Sequence, residues 1–168
     1  MDVEPRTYTF KFILIGEART GKSSIMNKYC NDQFNGKYIV STSSEFCEKE
    51  ININNDNAII ELWASGSDCC LLVCDITNKR SFETLEMLMD QFVTEAQINA
   101  TEFPFAVVVN KVDEEISDYC VEMAEVEKFC KNKKIQMVYQ VSAKTGFNLN
   151  KLFLDMATKL IENCVSNE

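Results

Sequence analysis

Histidine is absent from this sequence of 168 residues, and none of its eight cysteines follows the C-x-x-C spacing. Zinc sites are built from Cys and His at short spacings, and small disulfide-stabilised domains carry a framework of paired cysteines. The composition therefore argues against a zinc site and against a disulfide framework. Cys69, Cys70 and Cys74 lie in a strand-like apolar run, and we interpret them as small buried side chains in a reducing cytosol.

Basic charge is scarce as well, because 17 Lys and Arg stand against 26 Asp and Glu and give a net charge of −9. Nucleic-acid binding depends on a basic surface, so nucleic acid is not an expected partner. Residues 1–5 have neither the basic start nor the apolar stretch of a secretory signal. No apolar stretch approaches the length of a membrane span. We expect a cytoplasmic protein whose residues 1–168 form a single domain.

A phosphate-binding motif is present near the start of the chain. Residues 16–23 read G-E-A-R-T-G-K-S and directly follow the apolar run 10–15. Between a strand and a helix this pattern predicts a loop whose backbone N–H groups surround phosphate oxygens, as Gly16 and Gly21 permit. Lys22 would neutralise the β- and γ-phosphates, and the Ser23 hydroxyl would bind Mg²⁺.

Two later motifs indicate which base is recognised. Residues 110–113 read N-K-V-D after a second apolar run, and 142–144 read S-A-K after a third. The Asp113 carboxylate can accept hydrogen bonds from N1 and N2 of guanine, whereas adenine offers an acceptor and a C–H there. The Lys111 stem can lie along the base, and Asn110 can tie its loop to the phosphate loop. A backbone N–H at Ala143 is suited to the guanine O6.

These three motifs, in this order, resemble those of a small GTPase of the Ras superfamily. The segments K-F-I-L-I-G, D-C-C-L-L-V, D-I-T and F-P-F are similar to those of the Rab branch, which acts in vesicle traffic, and the second and fourth resemble late-endosomal Rabs. The resemblance covers residues 7–164. It implies a mostly parallel, doubly wound α/β sheet flanked by helices, GDP or GTP with Mg²⁺ as ligands, and a location peripheral to endosomal or vesicle membranes.

The same resemblance assigns the nucleotide site residue by residue. It implies that Phe34 leans on the guanine ring, although a half-buried loop aromatic is the alternative interpretation. In the first switch, Ser41 stands where Rabs have a Thr that binds Mg²⁺, with Thr42 as a second candidate; Ser43 replaces the flanking Gly. No catalytic residue is assigned, and Ser23 and Ser41 are the predicted metal ligands. The predicted nucleotide-binding residues are Gly16, Arg19, Thr20, Gly21, Lys22, Ser23, Ser24, Phe34, Asn110, Lys111, Asp113, Ser142, Ala143 and Lys144.

The second switch and its helix are missing from the sequence. Rabs continue W-D-T-A-G-Q, whereas here only residues 64–68 separate Trp63 from Cys69. The Asp that supports Mg²⁺ and the Gln that orients the attacking water are lost with it. We therefore expect a nucleotide-binding regulator with impaired or absent GTP hydrolysis. The alternative is an active GTPase completed by Arg19, Ser41 or a partner; Arg19 would then fold over the phosphates instead of lying solvated on the loop.

Partner recognition is expected to differ from that of Rabs. Phe46 and Trp63 match two of the three aromatics that Rab effectors contact, with simple burial between sheet and helices as the alternative interpretation; the third belongs to the missing stretch. The sequence ends five residues from Cys164 counted inclusively, so it contains no C-a-a-X lipidation box. The expectation is that no lipid anchor is encoded here. Either the parent protein continues, into a second domain for example, or membrane attachment is indirect.

Hydrophobic periodicity predicts alternating strands and helices. The clearest helix runs from Leu149 to Cys164, whose apolar residues recur at three and four. Ser81 is the predicted N-cap of the helix after the fourth strand. The other predicted elements are strands at 8–15, 46–53, 58–63, 69–75, 105–109 and 137–141, and helices at 22–30 and 118–131.

Overall fold

The structure is a computed structural model, and it describes residues 4–32, 47–62 and 66–167. Within these ranges, one sheet carries helices on both of its faces. Several predictions of the preceding section concern positions outside the described residues: Phe34, Ser41, Thr42, Ser43, Phe46 and Trp63.

The sheet confirms the predicted α/β class. Its strands follow the order β2-β3-β1-β4-β5-β6. All neighbouring pairs are parallel except β2 and β3, which form an antiparallel hairpin. Parallel strands require crossover connections, and helices supply most of them here. The strands are β1 (Thr7–Ile15), β2 (Cys47–Ile53), β3 (Asp56–Leu62), β4 (Cys69–Asp75), β5 (Phe105–Asn110) and β6 (Met137–Gln140).

The helices agree with prediction at both ends of the chain and differ in the middle. The predicted first and last helices are confirmed. The helix predicted to begin near Asp118 begins instead at Met123, because Glu122 and Glu125 form a capping box there. A short 3₁₀ turn, Ile116–Asp118, precedes it. The helices are α1 (Lys22–Asn31), α2 (Lys79–Glu83), α3 (Leu85–Ala96), α4 (Met123–Lys133) and α5 (Leu149–Ser166).

The prediction that Ser81 caps the helix after β4 is wrong. Asn78 is the N-cap of α2, and its side chain accepts a hydrogen bond from the Ser81 N–H at 3.3 Å. Ser81 lies inside the helix and is buried. Its hydroxyl donates to the Asn78 carbonyl at 2.7 Å and accepts from the Asp75 N–H at 2.9 Å. The serine therefore fixes the chain reversal between β4 and α2.

The β2–β3 turn is tighter than predicted. Asn54 and Asn55 alone form it, and Asn54 adopts the left-handed conformation with φ 57°, which Asn tolerates well. Asp56 already belongs to β3, where it pairs with Ile53 of β2, and its carboxylate accepts from the Arg6 N–H at 2.9 Å. The hairpin is thereby aligned with β1 from its first residue.

Two apolar cores lie on opposite faces of the sheet. One is closed by α1 and α5; in it the ring of Phe153 stacks on Tyr29, with centroids 3.9 Å apart, and on Phe12. The other is closed by α3 and α4 and contains Leu72 and Leu85. Every residue of β4 and β5 is buried, as expected for strands covered on both faces. No helix in the described part of the chain is long and apolar enough to cross a membrane.

The cysteines depart from expectation at one pair. Cys69, Cys70 and Cys74 are buried as predicted, and burial raises the pKa of Cys74 to about 12. Cys30 and Cys47, however, are joined by a disulfide with their Cα atoms 6.4 Å apart. The sequence could not indicate this pairing, because it depends on where β2 begins relative to the end of α1.

Candidate nucleotide-binding site

The phosphate loop connects β1 to α1, and its two glycines are required by packing. A Cβ at Gly16 would overlap the carbonyl oxygen of Val73 on β4. Gly21 adopts φ +96°, and a Cβ there would overlap the side-chain amide of Asn110. Both glycines therefore allow the loop to lie against the strands that carry the rest of the site.

Lys22 lies across this loop. Its ammonium donates to the carbonyl oxygens of Gly16 at 2.7 Å and Glu17 at 2.8 Å. Burial lowers the pKa of Lys22 below its ordinary value of 10.5, and the Glu17 carboxylate partly offsets this shift. An anion placed at the ammonium would compensate the same desolvation, because opposite charge favours the protonated form.

The first turn of α1 presents its N-terminus to the loop. Gly21 is the N-cap residue, and its carbonyl accepts the Ile25 N–H at 2.8 Å. Ser23 and Ser24 follow in the first turn and are half-buried. The first N–H groups of a helix have no carbonyl partner within it, and the helix dipole adds positive potential there. The position of these serines suits phosphate and a phosphate-bound cation.

Asn110, at the end of β5, connects the phosphate loop to the S-A-K segment. Its side-chain amide donates to the Thr20 carbonyl at 2.9 Å and accepts from the Ala143 N–H at 3.1 Å. The side chain is only 1% exposed, so neither contact competes with bulk water. Thr20 is equally buried, and its hydroxyl donates to the Glu17 carbonyl at 2.8 Å. One side chain thus holds two of the three motifs in a fixed relation.

Lys111 adds a second link at the same edge. Its backbone is left-handed, with φ 68°, and its ammonium donates to the Arg19 carbonyl at 2.8 Å. The same ammonium pairs with the Asp75 carboxylate at 2.7 Å. Asp75 is buried at the end of β4, and Thr77 donates to it through both its N–H and its hydroxyl.

Asp75 also belongs to the candidate site, although in the sequence it stood out only as part of the D-I-T segment of the family resemblance. It anchors Lys111, which the sequence assigned to the base. A usable signal was present, since an Asp at the end of an apolar strand followed two residues later by Thr is typical of a side-chain-capped turn. The other unanticipated contact is an ion pair at the loop's rim between Glu17 and Arg80 of α2, at 3.4 Å.

Asp113 and Ser142 form the base side of the site. The Ser142 hydroxyl donates to the Asp113 carboxylate at 2.6 Å and accepts from the Thr145 N–H at 3.0 Å. Ser142 is buried, whereas Asp113 and Lys144 are exposed. The buried serine therefore orients a carboxylate that remains accessible to a ligand.

Those predicted site residues that the structure describes lie at one edge of the sheet. Ala143 and Arg19 differ in detail from the prediction. The Ala143 N–H, predicted to face the guanine O6, donates to Asn110 in the structure. Arg19 is exposed and adopts φ 67°, a left-handed conformation that costs a residue with a Cβ on the order of 1 kcal/mol. The contact between Arg19 and the base side of the site is made by its backbone carbonyl, which accepts from the Lys111 ammonium.

Comparisons with known proteins agree on one family. The model of the family described as "Ras family" matches residues 11–162, which include all three motifs. The chain is 31% identical to the Ypt/Rab-type GTPase ypt7 of Schizosaccharomyces pombe, over 97% of this chain and 87% of that protein. It is 32% identical to Ras-related protein Rab-7a of Paramecium octaurelia, over 88% and 79% of the two chains. It is 31% identical to Ras-related protein Rab7 of Drosophila melanogaster, over 90% and 80%.

Proposed function

The chain belongs to the Ras family of small GTPases and is Rab7-like, and on that premise we propose that it is a guanine-nucleotide-binding regulator of vesicle traffic with impaired or absent GTP hydrolysis. The observation that carries the binding part is the Asn110 bridge between the phosphate loop and Ala143. This contact is buried, and an ordinary strand-to-helix turn would not need a bridge to a distant segment. Its effect is to hold phosphate-binding and base-binding groups at a fixed spacing.

Lys22 supports phosphate binding at one end of the proposed site. Its ammonium is desolvated and bonded only to neutral carbonyls in the described contacts. A phosphate chain in the loop would receive this charge together with the N-terminal N–H groups of α1. Ser23 is the proposed metal ligand on α1, and Ser41 is proposed as a second one on the strength of the resemblance alone. Bound Mg²⁺ would neutralise phosphate charge.

Asp113 supports guanine binding at the other end of the proposed site. Its carboxylate accepts from Ser142, and ionised carboxylates have about four acceptor positions, so the guanine N1 and N2 donors can be accommodated as well. Lys111 flanks the base, in our proposal, with its ammonium held by Asp75. The Ala143 N–H would then be shared between Asn110 and the guanine O6, a three-centre arrangement that occurs in proteins.

The sheet register supports the proposal of slow hydrolysis, because it leaves only a short connection between β3 and β4. β3 ends opposite Phe12 of β1, and β4 begins opposite the same residue. Only six residues separate Leu62 from Cys69 in the sequence, which supports the absence of a second switch and its helix. Phosphoryl transfer is catalysed by positioning and charge stabilisation. Without an element to position the attacking water, most of the acceleration should be lost.

Location and partners remain part of the proposal. We propose peripheral association with endosomal or vesicle membranes through partners of the Rab-effector type. Recognition of those partners would differ from that of Rabs, because one of the three effector aromatics is missing from the sequence. Guanine nucleotide is the ligand on which any such interaction would depend.

Calorimetry with GDP, GTP and ATP in the presence of Mg²⁺ tests the binding proposal. Both guanine nucleotides should bind, with ATP at least about 100-fold weaker, because adenine cannot donate to Asp113. Asp113→Asn should lose a similar factor for GDP and gain affinity for xanthosine diphosphate, which presents a carbonyl to the new amide. ATP binding as tight as GTP, or an unchanged base preference in the variant, would refute the proposal.

Single-turnover hydrolysis of bound GTP tests the second part. We expect a rate no greater than that of a catalytically impaired small GTPase, with or without Arg19. Fast turnover that disappears in Arg19→Ala or Ser41→Ala would favour the alternative, in which these side chains complete a working active site.

A further inference from the structure

Two cysteines meet at the junction of α1 and β2. Cys30 lies in the last turn of α1, Cys47 is the first residue of β2, and their sulfurs are bonded. Both side chains are half-buried and pack against the core closed by α1 and α5. The two cysteines are 17 residues apart in sequence, so the bond connects elements that are otherwise joined only through the chain between them and by noncovalent packing.

The surroundings of the pair suit a thiol as well as a disulfide. The Cys47 sulfur lies 4.0 Å from the Met26 carbonyl, within reach of a weak S–H donor. The Lys49 ammonium also lies at this junction, where it donates to the carbonyl of Tyr29, the residue before Cys30, at 2.8 Å. Positive charge favours the thiolate, which is the form that attacks disulfides.

The position of Cys30 connects this pair to the phosphate site. α1 carries Lys22, Ser23 and Ser24 in its first turn and Cys30 in its last. A bond from Cys30 to β2 fixes the far end of this ten-residue helix to the sheet. Local opening of α1 would disrupt its N-terminus at the phosphate loop, and a covalent link at its other end opposes such opening.

We propose that Cys30 and Cys47 form a reversible thiol–disulfide site that slows nucleotide release when oxidised. In a reducing cytosol, where we propose that this protein acts, disulfides are mostly transient and redox-sensing. The thiol chemistry stands on the geometry of the pair alone. The effect on release rests on the proposed function, because it assumes that nucleotide occupies the phosphate loop.

Glutathione disulfide is the oxidant in this proposal. The thiolate of one cysteine attacks a glutathione sulfur, forms a mixed disulfide and expels one glutathione thiolate, which takes up the proton lost from the cysteine. The second cysteine thiolate then attacks the protein sulfur and expels the second glutathione in the same way. Two protein thiols are oxidised to one disulfide, and one glutathione disulfide is reduced to two glutathione molecules.

The first experiment measures the bond itself. The full chain carrying Cys120→Ser and Cys164→Ser, which removes the two exposed free thiols, is equilibrated in glutathione buffers of increasing oxidation and then alkylated. Mass spectrometry should find a Cys30–Cys47 peptide pair that forms on oxidation and disappears with excess reduced glutathione. Failure of this pair to form, or accumulation of a glutathione adduct on one cysteine instead, would overturn the proposal.

The second experiment compares the oxidised and reduced forms of the same protein. Release of a fluorescent GDP should be at least about threefold slower after oxidation. Thermal unfolding should shift upward by roughly 5 °C or more, because a cross-link across this loop length restricts the unfolded chain. Cys30→Ser and Cys47→Ser are matched controls in which oxidation should change neither quantity.

The outcomes separate this proposal from the proposed function. A reversible bond with equal GDP release in both forms would overturn the coupling to nucleotide. If GDP does not bind in either form, the proposed function fails and so does the coupling, whereas the peptide pair and the melting shift still decide whether the redox site exists. Oxidation effects that persist in both serine variants would assign them to other cysteines and overturn the proposal.

Discussion

In β4 and β5 every residue is buried, whereas in β2 exposed residues alternate with half-buried ones and in β3 half-buried residues alternate with buried ones. We call β4, β5 and β6 the core half of the sheet, and β2 and β3 the hairpin half. Helices cover both faces of the core half, while the α1 and α5 side covers the buried residues of the hairpin half. The described nucleotide-site side chains beyond the phosphate loop follow strands of the core half.

The two halves suit different tasks in a small GTPase, which must hold the nucleotide in a fixed geometry and must also respond to its γ-phosphate. Asp75, Asn110 and Ser142 are buried residues held by hydrogen bonds at the ends of core-half strands, which suits groups that must keep a constant geometry. By the family resemblance, the response to the γ-phosphate comes from two switch segments, which precede and follow the hairpin in sequence. In our proposal the chain keeps the first set and lacks the second switch, so it would hold a nucleotide more than report its state.

The largest effect is expected where the phosphate loop meets the ligand. Lys22→Ala leaves phosphate charge uncompensated, and loss of one partner of a buried charge pair costs about 3–5 kcal/mol. GDP affinity measured by calorimetry should therefore fall by two or more decades. Lys49→Ala, on the hairpin half, removes a lysine that donates to Tyr29 and should change affinity less than threefold. Equal losses in the two variants would contradict the assignment of Lys22.

Stability should reflect the same division. Leu72→Ala removes a fully buried side chain from β4 and should lower the free energy of unfolding by about 2–5 kcal/mol. Ile59→Ala, on β3, removes an equal volume from a half-buried position and should cost less than about 1.5 kcal/mol. Urea unfolding of both variants gives the comparison. A larger cost at Ile59 would mean that the hairpin half is packed more tightly than its exposure indicates.

A third test concerns the Asn110 bridge. Asn110→Ala leaves the Thr20 carbonyl and the Ala143 N–H without their partner, and a buried unsatisfied group costs about 1–3 kcal/mol. Both unfolding free energy and GDP affinity should fall. The control is Asn52→Ala on β2, whose exposed amide donates to Asn57 at 3.0 Å and should matter by less than about 0.5 kcal/mol. A stable Asn110 variant with full GDP affinity would show that the bridge does not organise the site.

The smallest effect is a pH dependence at the edge of the core half. Partial burial would raise the pKa of Asp155, but hydrogen bonds from Lys151 and Tyr139, both at 2.8 Å, leave that pKa below the ordinary 3.8. Because the folded value is depressed, the carboxylate stabilises the fold above about pH 4 and loses this contribution as pH falls through the folded pKa.

Acid unfolding curves measure this contribution. Asp155→Asn should remove this carboxylate's contribution to the pH dependence at acid pH, at a cost of about 1 kcal/mol or less at neutral pH. Tyr139→Phe removes one of the two donors and should give an intermediate curve. An Asp155→Asn curve parallel to that of the unchanged protein at acid pH would contradict the depressed pKa.

Strands and the long terminal helix were predictable because their apolar periodicity is strong. The helix start at Met123 and the cap at Asn78 were not, because several neighbouring polar side chains can cap a helix and the sequence does not show which of them does so. Sequence motifs likewise predicted the order of the site segments. They could not predict that the Ala143 N–H donates to Asn110, because that contact depends on how the end of β5 lies relative to the loop after β6.

The Asn110 bridge joins residues that leave the ribosome at very different times. Thr20 precedes Asn110 by 90 residues, and Ala143 follows it by another 33. At synthesis rates of about 5–20 residues per second, the phosphate loop waits on the order of ten seconds for its last partner. A nascent chain therefore carries a complete phosphate-binding motif before the candidate site is complete, and the Asn110 bridge forms only after Ala143 has been synthesised.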